Sequence, residues 1–238
     1  MSEALQATLL PEEKIWEHNA IARAELNVST KFSERALAIL AKRLQEKGKI
    51  EEEEITVREL VGYRASNPDY VSARGIAQKL MSDTVIVDKP NGDFDMYALF
   101  RGKIRYSKKK DSYKLSLNHD LERFYIALLE HFTVYSLPEF LELDGRYTQR
   151  MYHILKSWES CKNGFVEYKI EDLRRRVGAE HYVIYNDFHR RVLIPTKKEI
   201  EKKTTMRFDY EPIYTGKKVT AVRFLFHSKP KYNKAPKK

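Results

Sequence analysis

The residues with the clearest chemical potential are basic and amide side chains on one predicted helix in the second half of the chain. Phe188 and Val192 mark its buried side, because residues at this spacing lie on the same face of a helix. Arginine can bind guanine through two hydrogen bonds in the major groove of DNA, and asparagine can bind adenine in the same way. The pattern therefore predicts a base-reading helix, with a merely solvated basic face as the alternative. Its candidate reading residues are Asn186, Asp187, Arg190 and Arg191.

Pro195 lies inside this predicted helix. Because proline lacks the backbone N–H that a helix interior needs, it is expected to kink or interrupt the helix. The interruption would separate the reading residues from a lysine-rich stretch that contains Lys197 and Lys198. Basic residues on neighbouring elements could bind phosphates, which positions a protein on DNA without reading its sequence. These candidates are Arg174 and Arg175 on a short helix and Lys217 and Lys218 in a predicted turn.

The charge of the chain is concentrated in the same half. Residues 1–130 contain 21 Lys and Arg against 21 Asp and Glu, whereas residues 131–238 contain 23 against 13 and hold the whole net charge of +10. A charge confined to one half indicates a polyanionic partner better than a high overall charge does. DNA, RNA and an acidic membrane surface all satisfy this requirement.

The sequence carries no motif that predicts catalysis, a metal or a cofactor. It lacks a phosphate-binding loop, a His–apolar–His triplet, and the G-x-S-x-G and H-E-x-x-H patterns. Cys161 is the only cysteine, so neither an internal disulfide nor a cysteine-based zinc site is expected. Carboxylate pairs such as Asp93 and Asp95 arise by chance in a chain that is 33% charged. We therefore predict a protein that is not an enzyme, although its tyrosines leave a nicking nuclease as an alternative.

Membrane and secretion signals are not found in the sequence. The N-terminal residues show no basic stretch followed by an apolar one, and no apolar run approaches the length of a membrane span. The expected location is the cytoplasm, with no membrane partner.

The elements that must position these side chains occur in the same order twice. Each half predicts helix, strand, short helix, longer helix and β-hairpin, which is the order of a winged helix. The predicted fold class is therefore α+β, with tandem winged-helix domains at residues 1–132 and 133–230 and a basic tail at 231–238. Periodicity also predicts a strand over Tyr97–Tyr106, an amphipathic helix over Leu121–Phe132 and a linker over Thr133–Leu143.

The third helix of the first domain carries its own polar candidates, Ser72, Arg74 and Lys79. Because this half has no net charge, an auxiliary DNA surface and a protein–protein surface are both consistent with it.

Three segments resemble the replication initiators of iteron-containing plasmids. They are Tyr147–Leu155 (YTQRMYHIL), Asp187–Leu193 (DFHRRVL) and Glu199-Ile200 followed by Met206–Tyr210. In that family a tyrosine–arginine helix, a D-F-x-R-R helix and a later E-I-N segment occur in this order, although this chain has no Asn after Glu199-Ile200. Arg150, on the first of these helices, joins the candidate DNA contacts.

The resemblance implies a protein that binds repeated origin sites, helps to open the origin and recruits the host replicative helicase machinery. It implies base reading by Asp187, Arg190 and Arg191, and a homodimer in equilibrium with a monomer, the dimer repressing its own synthesis. It places the protein in the bacterial cytoplasm. A winged-helix transcriptional regulator is the main alternative, and an RNA-binding protein is disfavoured because no aromatic RNA-binding strand motif is present.

Overall fold

The computed structural model describes residues 14–27, 31–61, 73–126, 128, 131–145 and 147–227. Within these residues two winged-helix domains follow one another along the chain, each with helices followed by antiparallel strands. The predicted α+β fold class is confirmed. The candidate residue Ser72 and the basic tail at 231–238 lie outside the described residues.

The first domain is built on one long buried helix and two small sheets. Its elements are β1 (Lys14–His18), α1 (Asn19–Arg23), β2 (Glu25–Asn27), α2 (Lys31–Lys47), β3 (Glu53–Thr56), α3 (Val57–Val61), α4 (Ala73–Ser82), β4 (Thr84–Asp88), β5 (Phe94–Ala98), β6 (Phe100–Ser107) and β7 (Ser112–Leu117). The strand orders are β2-β4-β5 and β3-β7-β6. The predicted single strand over residues 97–106 is wrong, because the chain leaves one sheet and enters the other at Leu99, which is 1% exposed.

The segment between the domains differs from its prediction. A 3₁₀ turn covers His119–Phe124, strand β8 covers Phe132–Ser136 and helix α5 covers Leu137–Glu142, so the predicted helix and linker are both wrong. β8 pairs antiparallel with β1. Its partner lies more than a hundred residues away in sequence, and local periodicity cannot detect such a pairing.

The same pairing bears on the predicted division at residues 132 and 133, which falls at the start of β8. Because β8 is hydrogen-bonded to β1, the first residues assigned to the second domain are packed with the first. The division between the domains stays a prediction.

The second domain presents a long helix above a three-stranded sheet. Its elements are α6 (Thr148–Lys156), β9 (Phe165–Lys169), α7 (Ile170–Val177), α8 (Tyr185–Phe188), a π-helical turn (His189–Leu193), α9 (Ile194–Lys203), β10 (Phe208–Thr215) and β11 (Lys218–Phe226). The strand order is β10-β11-β9, and β10 and β11 form the wing. Helix α7 ends at Gly178, whose φ of +68° is the left-handed conformation that favours glycine at a helix end.

The helical segment from Tyr185 to Lys203 is continuous, and we call it the third helix. The predicted interruption at Pro195 is wrong. In the π-helical turn the Ile194 N–H donates to the carbonyl of His189, one residue further back than in an α-helix. α9 then begins beside Pro195, which lies in its first turn, where the missing N–H costs little.

Helix α6 lies at the junction of the two domains and is buried along nearly its whole length. Glu199 of α9 fixes its start, accepting hydrogen bonds from the N–H groups of Asp144 and Gly145 (2.7 and 3.0 Å) and from the Thr148 hydroxyl (2.8 Å). Burial opposes ionisation, but these bonds and Lys203 hold the pKa of Glu199 below its usual range. The Glu199-Ile200 motif therefore has a structural role here.

Candidate nucleic-acid interface

The exposed side of the third helix carries a regular row of side chains. We call it the outer row: Asn186, Arg190, Ile194, Lys198 and Lys202, all exposed. Residues spaced by four form one ridge on a helix surface. The opposite side is buried in the domain core through Phe188, Val192, Leu193 and Ile200. The helix therefore presents a basic ridge with a fixed orientation, as a helix that enters a DNA groove requires.

Two predicted reading residues, Arg190 and Asp187, form an ion pair on this surface. The Arg190 guanidinium donates to Asp187 Oδ1 at 3.2 Å, and the two side chains are 62% and 42% exposed. An exposed pair of this kind contributes only about 0–1 kcal/mol, so Arg190 can exchange Asp187 for a base or a phosphate at little cost. Arg191 is also exposed, and within the described part of the chain it forms no ion pair.

Lys197 and Lys198 differ in their surroundings. Lys197 is half-buried and contacts Glu201 at 2.8 Å and Asp209 at 3.4 Å, so its ammonium faces β10. Burial opposes protonation, but these carboxylates hold the pKa of Lys197 above its ordinary value. Lys198 is exposed on the outer row. Lys198 is therefore accessible to DNA, whereas Lys197 is held by carboxylates of its own domain.

The wing brings two more predicted residues close to the start of the third helix. Lys217 lies in the turn between β10 and β11, where Gly216 has a φ of +61°, and Lys218 is the first residue of β11. A cleft of about 1110 Å³ separates this turn from α7 and the third helix, and Lys217, Lys218, Asn186 and Arg174 all line it. Glu167 and Glu171 line it as well. Four of the predicted site residues are therefore brought together.

The arginines of α7 are less available than the sequence suggested. Arg174 is 8% exposed and lies over the Phe188 ring, 5.3 Å from its centroid, and burial lowers its pKa. Arg175 contacts Glu25 at 2.7 Å and Asp172 at 2.8 Å. Arg175 therefore joins the second domain to β2 of the first, which the second-domain sequence could not reveal.

Arg150 is not a surface residue, and its assignment as a DNA contact is corrected. It is 2% exposed and donates to the carbonyls of Ala24 and Arg176, the latter at 3.3 Å. Burial lowers its pKa, while the carboxylates of Glu34 and Glu17 favour its charged form. The amphipathic pattern of α6 indicated one buried side, but both domains pack on this helix and leave Arg150 no route to solvent.

The carboxylates around Arg150 are themselves perturbed. Burial raises the pKa of Glu17 to about 8 and that of Glu34 to about 7. His153 Nδ1 lies 3.3 Å from Glu17 Oε1, and burial holds the pKa of His153 well below its usual value. Both shifts favour the neutral forms, so this contact joins an uncharged acid and an uncharged imidazole at neutral pH.

The first domain has a more balanced surface. Arg74 is exposed on α4 and Lys79 is half-buried there. On the β3-β7-β6 sheet, basic side chains are matched by the acidic run at residues 51–54, with Arg105 contacting Glu52 at 3.0 Å and Lys110 contacting Glu54 at 2.9 Å. These ion pairs reduce the number of unmatched basic groups on this surface.

Two further residues of interest escaped the sequence prediction. Lys202 continues the outer row, and counting in fours from Asn186 would have found it. Arg23 lies over the Trp158 ring, 3.5 Å from its centroid, and donates to the Ser157 hydroxyl at 2.9 Å. No local signal indicates this inter-domain contact, because the residues are far apart in sequence.

The part of the chain that the structure describes shows neither a candidate metal site nor a candidate membrane span. In it no cluster of three His, Cys, Asp or Glu side chains could hold a metal, and no helix combines the length and apolarity of a membrane span. Burial raises the pKa of Tyr113 and Tyr210 to about 12, the opposite of what a tyrosine nucleophile requires.

Tandem winged helices with a basic ridge on the third helix of the second domain define a class of DNA-binding protein. Residues 14–156 match the family model described as "Initiator Replication protein, WH1", and residues 169–226 match "Initiator Rep protein, WH2". The chain belongs to this family of replication initiator proteins.

Among solved structures the chain is similar to one described as the Pi initiator protein in complex with iteron DNA. The TM-score is 0.62 at 17% sequence identity, with 92% of this chain and 98% of that chain covered. At this identity the likeness supports the fold, and it agrees with the two domains described above.

Proposed function

We propose that this initiator binds the repeated sites, or iterons, of a plasmid origin by laying the third helix of its second domain in the major groove. The observation that carries the proposal is the outer row, because all five of its side chains are exposed, four of them are basic or amide-bearing, and the opposite face of the helix is buried. Family membership supports iterons as the target, as does the likeness to the Pi initiator, whose structure contains iteron DNA.

The roles of the side chains follow from their chemistry. Asn186, Arg190 and Arg191 lie in the first half of the helix and carry the hydrogen-bonding groups that read base edges. Asp187 orients Arg190 through their ion pair. The lysines bind phosphates, which fixes the helix in register and makes affinity depend on salt. They are Lys198 and Lys202 on the helix and Lys217 and Lys218 on the wing.

The proposal extends to partners and location. The first domain mediates a homodimer in equilibrium with a monomer, and β5 supports this role because it ends its sheet and exposes Phe94 (58%) and Met96 (56%). The DNA-bound protein helps to open the origin and recruits the host replicative helicase machinery in the bacterial cytoplasm, while the dimer represses its own synthesis. It acts without a cofactor and without cutting DNA.

The test begins by enriching a duplex from a randomised pool on the purified protein. Fluorescence anisotropy then compares the enriched duplex with its scrambled sequence over a salt series. We expect a specific-to-scrambled affinity ratio of at least about a thousandfold at physiological salt, because base contacts persist when phosphate contacts are screened. A ratio near one at every salt concentration, or a pool that yields no consensus, would rule out sequence-specific binding.

A further inference from the structure

Ile194 is the one apolar side chain in the outer row. It is 47% exposed and lies one turn from Arg190 on one side and one turn from Lys198 on the other. The core beneath does not need it, since Val192 and Leu193 are already fully buried there. Ile194 is thus an apolar group directed outward among hydrogen-bonding neighbours.

Its residue type is poorly suited to a solvated helix surface. Isoleucine has a lower helix propensity than the lysine or arginine found at the neighbouring positions of the row, and its exposed carbons gain nothing from water. It has one compensating property, because a β-branched side chain in a helix is held in essentially one rotamer. Ile194 is therefore a rigid apolar side chain in a fixed position.

The major groove offers one apolar group, the C5-methyl of thymine. On the proposed function, with the third helix in that groove, we propose that Ile194 recognises a thymine methyl and is a specificity-determining residue. One helical turn advances about 5.4 Å and base pairs are about 3.4 Å apart. The thymine read by Ile194 therefore lies about one or two base pairs from the base read by Arg190.

Deoxyuridine supplies a direct probe because it differs from thymidine only by this methyl. In the enriched duplex each thymine is replaced in turn by deoxyuridine, and the affinity of each duplex is measured by anisotropy. For the wild-type protein one replacement should weaken binding about three- to fivefold, as expected for loss of one buried methyl. The other replacements should have little effect.

Variants assign the effect to its residue. With Ile194→Ala the thymine and deoxyuridine duplexes should bind equally, both more weakly than thymine DNA binds the wild-type protein. Thr205→Ala is the matched control, since Thr205 is β-branched, exposed, and outside both the outer row and the cleft. It should retain the wild-type thymine preference. Unchanged circular dichroism and melting temperature would establish that both variants fold.

The outcomes separate this inference from the function on which it rests. If no thymine is sensitive, if the consensus contains none, or if Ile194→Ala keeps the wild-type preference, the methyl contact is wrong while specific DNA binding stands. If no duplex is enriched at all, the proposed function itself fails and the inference falls with it.

Discussion

At the scale of single residues, burial decides which arginines can meet DNA. Arg190 has an exposed side chain and one weak partner, whereas Arg150 is enclosed by both domains and satisfied by backbone carbonyls. Both occur in motifs that resemble the initiator family. The same residue type is therefore accessible to a ligand in one motif and has a structural role in the other.

Replacing Arg150 should destabilise the protein severely. Arg150→Met leaves the carbonyls of Ala24 and Arg176 without their buried donor, which costs about 1–3 kcal/mol for each carbonyl. Urea unfolding measures the change, and Arg190→Met is the matched control, expected to stay within about 0.5 kcal/mol because Arg190 is exposed. Equal stability of the two variants would contradict the buried position of Arg150.

The raised pKa of Glu17 predicts a pH dependence of stability. Its pKa is about 8 in the folded protein against 4.5 for an ordinary glutamate, so the folded state keeps a proton that the unfolded state releases. The stability that this proton contributes is lost as the pH rises through 8. The buried His153 has the opposite effect only below about pH 6.5, so the window from 6.5 to 8 isolates the carboxyl groups.

In that window the free energy of unfolding of the wild-type protein should fall by about 1–2 kcal/mol. Glu17→Gln, which is uncharged at every pH, should show a clearly smaller fall, and substitution of the exposed Glu180 by Gln should leave the wild-type slope unchanged. Denaturant titrations at several pH values measure both slopes. A wild-type slope that persists in Glu17→Gln would show that Glu17 ionises normally.

At the scale of elements, α7 joins the two domains through arginines of different exposure. Arg176 is 15% exposed and donates to the Arg23 carbonyl and to Asp172 and Asp88 at 2.9 and 3.0 Å. Arg175 is 43% exposed and forms only ion pairs.

Arg176→Ala should therefore cost about 1–3 kcal/mol, because it leaves a partly buried carbonyl without its donor, while Arg175→Ala should cost about 0–1 kcal/mol. Urea unfolding at pH 7 measures the free energy of unfolding of both variants. A larger loss of stability for Arg175→Ala than for Arg176→Ala would contradict the greater structural role assigned to Arg176 at the junction.

Local sequence pattern predicted the elements that depend on local spacing. The second domain followed its prediction closely, because the buried positions Phe188, Val192 and Ile200 repeat at helical spacing and the wing strands meet at a glycine turn. The prediction failed where distant segments meet. β8 depends on β1, and the fully buried α6 depends on both domains. The prediction of an interrupted helix at Pro195 failed for another reason, since the π-helical turn accommodates the proline.

The candidate site was predictable in its residue types but not in their availability. Arg190, Arg191 and Lys198 are exposed as the pattern indicated, whereas Lys197 and Arg175 are engaged by acidic residues on other elements. Exposure depends on tertiary partners, and a helical period alone does not contain that information.

At the scale of the whole molecule, the two halves differ in how far their basic side chains are paired with acidic ones. In the first domain some basic side chains pair with the acidic run at residues 51–54, while the second domain exposes the lysines and arginine of the outer row on one surface. The junction at α6 and α7 holds the halves together through Arg23, Arg150 and Arg176. The molecule therefore presents one exposed basic surface, on the second domain, beside a first domain whose surface charge is more balanced.

The central claim is that the third helix reads the base sequence of the DNA, while the wing contacts only the DNA phosphates. It is tested most directly by comparing Arg190→Ala and Lys217→Ala on the enriched duplex and on scrambled DNA. Arg190→Ala should cost about 1–3 kcal/mol on the enriched duplex and little on scrambled DNA, so the affinity ratio falls; Lys217→Ala should weaken both equally. An Arg190→Ala protein with an unchanged ratio would mean that sequence is read elsewhere.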